Sequence, residues 1–151
     1  MSTTHKKFKK LESVVKIKNF ENEKCIFALQ KARSNKTTAH NKLQKTQTDY
    51  VTGVDRLNVE RKSLERNKLE VLERALDFLK SEWVKSFQYY KEMERIEKEC
   101  MRVVTENRVE IKQIGKISDK YFTAFQVEIA KNDQKNLDEV GIRRFAEKRK
   151  L

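Results

Sequence analysis

Glu92, Glu94, Glu97 and Glu99 lie close enough together to suggest paired-carboxylate chemistry or a cation site. Lys91, Arg95 and Lys98 interleave with them. At helical spacing this arrangement is a solvated face of i,i+3 and i,i+4 ion pairs, each contributing a few tenths of a kcal/mol, rather than a reacting centre. His5 and His40 stand alone and read as surface residues. Cys25 and Cys100 are far apart, belong to no ligand motif, and read as reduced, half-buried residues of a helical seam. There is no glycine-rich phosphate loop, no Gly-x-Ser-x-Gly and no His-Glu-x-x-His. The residue types therefore predict neither catalysis nor a metal or cofactor.

The elements that carry these residues are easier to read than any site. No proline occurs in the 151 residues, and glycine occurs three times, at Gly53, Gly115 and Gly141. Proline inside a helix costs about 3 kcal/mol, so its absence permits long uninterrupted helices. Counting in sevens from Phe8 gives Val15, Asn22, Leu29, Lys36, Leu43, Tyr50 and Leu57 without a slip. The companion positions are Leu11, Lys18, Cys25, Ala32, Ala39 and Thr46, which are small or polar and make a weak seam alone. Further along, Leu69, Leu76, Trp83, Tyr90, Val104, Ile111 and Phe125 share one heptad position, and Leu72, Leu79, Met93, Cys100, Ile114 and Tyr121 share the other. Ser86, Glu97, Asn107 and Ser118 read as breaks in this second stripe. Seven-residue stripes bury a narrow seam against another helix. The fold class is therefore all-α, a long two-helix antiparallel coiled-coil hairpin with a longer C-terminal helix.

Gly53 can end a helix, and Asp55 or Asn58 can cap the next. This predicts one hairpin over residues 1–151, with a first arm at about 6–51, a turn at about 52–58 and a second arm at about 59–147. With the turn centred near Arg56, Phe8 would meet Val104, Leu29 would meet Trp83, and Leu43 would meet Leu69. Residues beyond about 110 would then lack an intramolecular partner, although Ile111, Ile114, Tyr121, Phe122, Phe125, Val127, Ile129, Leu137, Val140, Ile142 and Phe145 remain apolar. Such a stripe requires something to cover it, either another protein or a second copy.

The net charge of +12 is concentrated at the ends. Residues 1–18 hold six lysines against Glu12, and residues 142–151 hold five Lys/Arg against Glu147. Basic ends attract nucleic acid, anionic lipid or acidic protein surfaces. A basic stretch leading into a coil is also found in zipper proteins, but there the coil is parallel and the basic region carries arginines. No apolar run approaches the roughly 20 residues of a membrane span, and no secretory h-region follows the N-terminal lysines. A soluble, cytoplasmic protein is expected.

An unequal hairpin with basic ends, together with particular residues, resembles the FliJ family of flagellar export proteins. The best local match is Asn132-Asp-Gln-Lys-Asn-Leu-Asp-Glu-Val140 followed by Arg143-Arg144-Phe145-Ala146. Phe8-Lys-Lys-Leu11-Glu-Ser-Val-Val-Lys-Ile-Lys is similar to the family's usual start, and Leu72-Glu-Arg-Ala-Leu76 to a run in its second arm. The resemblance implies a non-catalytic central stalk. Its paired termini would enter a hexameric export ATPase (FliI-like) and promote ring assembly and turnover, while the hairpin body reaches an export gate protein (FlhA-like) and export chaperones. An ATPase regulator (FliH-like) is implied as a further partner, with peripheral association at the inner-membrane export apparatus and a monomer in isolation. Carried onto this sequence, the gate and chaperone face would include Leu43, Tyr50, Leu72 and Ala75. The ring-facing set would be Phe8, Leu11, Tyr121, Phe125, Gln134, Leu137, Arg143, Arg144 and Phe145. A generic coiled-coil scaffold and a basic nucleic-acid-binding coil are the alternatives from other classes.

Overall fold

The computed structural model describes residues 3–63 and 65–149. Two helices account for nearly all of them: α1 over Thr3–Glu60 and α2 over Arg66–Arg149. Serine and threonine hydroxyls, which elsewhere compete with helical hydrogen bonding, are here turned back onto the helix. Thr37 donates to the Arg33 carbonyl at 3.1 Å, Thr38 to Ser34 at 3.1 Å and Thr48 to Gln44 at 2.8 Å.

The connection lies further along than the glycine suggests. The Arg61 amide donates to the Leu57 carbonyl at 2.9 Å, and the Ser63 amide to the Glu60 carbonyl at 3.1 Å, which satisfies acceptors at the end of α1. The Leu69 amide, bonded to the Glu65 carbonyl at 3.1 Å, begins the α2 ladder. The expected turn at 52–58 is thus corrected: Gly53, Asp55 and Asn58 are interior to α1. Gly53 has no positive φ. Its lack of a side chain serves packing instead, since an added Cβ would come 2.7 Å from Leu76 Cδ2 and 3.3 Å from Leu79 Cδ1.

Contacts group the described residues into two compact units, 3–22 with 106–149, and 23–105. In the second unit the helices run antiparallel, and their pairs lie nearly symmetrically about Arg66. Tyr50 and Trp83 rings approach to 5.4 Å, and His40 and Tyr90 to 5.6 Å. Lys36 pairs with Glu97 at 3.4 Å, and Arg33 donates to Met101 Sδ at 3.8 Å. Leu29, Ala32, Ala39, Leu57 and Val104 form its buried apolar core, with Ser86 buried among the seam positions. Each leucine of this kind contributes about 1.5–3 kcal/mol through burial.

In the first unit Phe8 packs against Phe122, with ring centroids 5.0 Å apart, and His5 against Phe125 at 4.3 Å. The Thr4 hydroxyl donates to Glu128 Oε1 at 2.9 Å, and Lys18 pairs with Glu110. The expected partners of Phe8, Leu29 and Leu43 are therefore corrected by the displaced turn: Phe8 meets Phe122 rather than Val104, and the Leu29–Trp83 and Leu43–Leu69 layers do not form at the observed register. His5, expected at the surface, is half-buried on Phe125.

Candidate functional site

The heptad positions themselves are those the structure buries. Every residue of both α1 series, from Phe8 to Leu57 and from Leu11 to Thr46, is buried or half-buried, and so is every residue of both α2 series. Ser86, Glu97, Asn107 and Ser118, expected as breaks, occupy the same seam, with Ser86 and Ser118 fully buried. Cys25 and Cys100 are half-buried seam residues of the second unit. Asn22 also lies in the seam, 6% exposed, with its amide oxygen lacking a hydrogen-bond partner.

The glutamate cluster carries no converging geometry. Glu92 accepts from Arg95, Glu94 from Lys98, and Glu99 from Arg102, while Glu97 faces Lys36. These contacts hold the carboxyls of Glu92, Glu94 and Glu99 below their ordinary value. The hydrogen bond from the helical cation neighbour is the largest cause in each case, and for Glu94 the charge of Lys91 follows. The Arg95 guanidinium is correspondingly pushed up by its hydrogen bond to Glu92. Among the described residues no group of three or more His, Cys, Asp or Glu could hold a metal ion.

Two surfaces remain. In the second unit, Leu43, Tyr50 and Leu72 are half-buried in the seam, whereas Ala75 is exposed. Val71 and Phe78, both 64% exposed, flank Ala75 at four- and three-residue spacing and so share its helix face. Open grooves follow this face, one lined by Arg56, Lys68, Val71 and Leu72, another by Lys42, Lys45, Phe78 and Leu79. Val71 and Phe78 were missing from the sequence-derived face. Their signal was present, as apolar residues falling outside the α2 heptad series.

The other surface is the end of α2 in the first unit. Beyond Glu128, which Thr4 contacts, every described residue from 129 to 149 is exposed. The expectation that α2 lacks a partner from about residue 110 is corrected accordingly: Ile111, Ile114, Tyr121 and Phe125 are half-buried. Of the ring-facing set, Phe8, Leu11, Tyr121 and Phe125 belong to the paired seam, while Gln134, Leu137, Arg143, Arg144 and Phe145 lie on the exposed extension. No described helix is long and apolar enough to cross a membrane.

Two long helices, paired along heptad seams within each unit, define the class: an all-α coiled-coil protein. The sequence matches the family described as flagellar FliJ protein over residues 7–150, and the chain belongs to that family. It is accordingly a component of flagellar protein export. No curated protein and no solved structure matches the chain.

Proposed function

We propose that this protein acts as a non-catalytic stalk of the export apparatus, entering the hexameric export ATPase through its basic ends and promoting ring assembly and ATP turnover. The observation that carries the reading is the exposed helix from 129 to 149, which continues past Glu128, the residue that Thr4 contacts. A shaft within a ring must be narrow and largely polar, so that no single contact pins it. This segment is one helix wide, ends on the basic residues Lys148 and Arg149, and presents Leu137 and Phe145 among its exposed apolar side chains. The helix dipole also favours cations at that end. The nucleotide chemistry belongs to the ring.

The face around Ala75, with Leu43, Tyr50 and Leu72 beneath or beside it, is the proposed contact for the export gate and the export chaperones. The ATPase regulator belongs to the same assembly. Family membership and the exposed Val71–Ala75–Phe78 stripe support this assignment.

The test is stimulation of the purified export ATPase. Phe145→Glu, at a position 60% exposed, is expected to leave helix content by circular dichroism unchanged. It is expected to reduce stimulation at least about tenfold, the loss of one buried anchor at an interface. Undiminished stimulation by a folded Phe145→Glu protein overturns the assignment of this extension to the ring. Phe125 is a poor choice for the same experiment because it packs on His5.

A further inference from the structure

We propose that, before any other partner covers it, the exposed end of α2 pairs antiparallel with the same segment of a second copy of this chain, crossing near Gly141. Asp133, Leu137, Gly141, Arg144 and Lys148 follow one another at steps of three and four, and Val140 lies three beyond Leu137 and four before Arg144, so the six share one helix face. The face has an order. An acid opens it, apolar and small residues fill its centre, and two cations close it. Leu137 is 66% exposed and Val140 45%, while Phe145 borders the same strip at 60%.

This order is self-complementary in one orientation only. A two-fold axis near Gly141 places Asp133 of one copy beside Lys148 of the other, twice. It also brings Leu137 level with Arg144 and Phe145 of the second copy, so that apolar side chain and aliphatic stem cover one another. A parallel pair would instead set Asp133 on Asp133 and Lys148 on Lys148, which like charges disfavour. Gly141 suits the crossing point because a side chain is absent where the helices come closest, and nothing lies within 4 Å of the position a Cβ would take. Several acids nearer the middle of α2 are engaged by neighbouring cations, as in Glu92–Arg95 and Glu99–Arg102. Asp133, Arg144 and Lys148 have no ion-pair partner among the described residues.

The strip is short, below the area of a standard stable interface, so the pair is weak and concentration-dependent. A tighter partner displaces it. The expectation of a monomer in isolation then describes the dilute protein only. The proposal does not rest on the stalk reading, since it concerns the purified chain without any ATPase.

The experiment is sedimentation equilibrium of the full-length protein from about 10 μM to about 1 mM, a range that brackets a weak pair. The weight-average mass is expected to rise toward that of a dimer. Asp133→Lys makes the strip wholly basic, and Arg144→Glu with Lys148→Glu makes it wholly acidic. Each variant alone is expected to associate at least about fivefold more weakly, as removal of two exposed pairs and their replacement by like charges requires. Mixed in equal amounts, the basic and acidic variants are expected to recover association. A wild-type protein that stays monomeric throughout overturns the proposal. So does a mixture that associates no better than its components, even if the wild type dimerises.

Discussion

Gly53 and Leu76 are in such close approach that a methyl group on the glycine would sit 2.7 Å from the leucine Cδ2. The glycine is therefore a packing residue of the seam, although it sits in a helix whose local preference opposes it by about 1 kcal/mol relative to alanine.

Alanine at Gly53 and at Gly115 should consequently behave differently. A Cβ at Gly115 meets nothing within 4 Å, so Gly115→Ala is expected to stabilise by about 0.8–1 kcal/mol. Gly53→Ala gains the same propensity and loses about 1–3 kcal/mol to displacement of Leu76 and Leu79. Urea midpoints compare the two. Equal stabilisation by both substitutions contradicts the close approach.

Tyr50 and Trp83 form a ring pair across the two helices of the second unit. Tyr50→Ala should destabilise by about 2–3 kcal/mol, less than full truncation of a buried aromatic because the site is half-buried. Trp83 is the only tryptophan, so its emission should move to longer wavelength in the folded variant as the covering ring is lost. Unshifted emission with unchanged stability excludes the pairing, and with it the register.

Asn22 is buried at a heptad core position with its amide oxygen unpartnered. Asn22→Leu should stabilise by about 1–2 kcal/mol, since an unsatisfied polar group is replaced by an apolar one. The same change should relax register, the role a lone polar core residue plays in coiled coils. The check is a cysteine cross-link between positions 8 and 122: its yield falls in the variant if Asn22 specifies the alignment and stays constant if it does not.

The carboxyls of Glu92, Glu94 and Glu99 lie below their ordinary 4.5. A group whose pKa is depressed by folding adds stability above its unfolded value and loses it as pH falls through the folded value. Stability is therefore expected to be insensitive to these groups from neutral pH down to about 5 and to decline below the ordinary value. Because the pairs are exposed, salt should shrink the effect. Replacing Glu92 and Glu99 by Gln should flatten the acid limb of a thermal-melting profile, and an unaltered limb refutes their contribution.

How far the sequence alone reaches is visible at particular residues. The absence of proline and the heptad series from Phe8 and from Leu69 were enough for two helices and for the identity of their buried faces, because a side chain's face follows directly from helical periodicity. The glutamate cluster was equally legible, since i,i+3 and i,i+4 pairs are local. The turn was not. Gly53 looked like a helix stop because propensity reports only local cost, whereas its value lies in contact with Leu76, far along the chain. A better signal existed: the heptad phase that includes Leu57 is replaced by another at Leu69, so the turn must lie between them.

Register is a tertiary property. A heptad stripe repeats every two turns, so many alignments bury it almost equally well, and only matched neighbours such as Tyr50 with Trp83, or Phe8 with Phe122, select one. That selection moved the start of the unpaired extension from about residue 110 to beyond Glu128. The sequence by itself determined which residues form helices and which side of each helix is covered. Tertiary structure decided which residues face one another, and therefore which part of α2 is left exposed, because pairing energy depends on side chains that are distant in sequence.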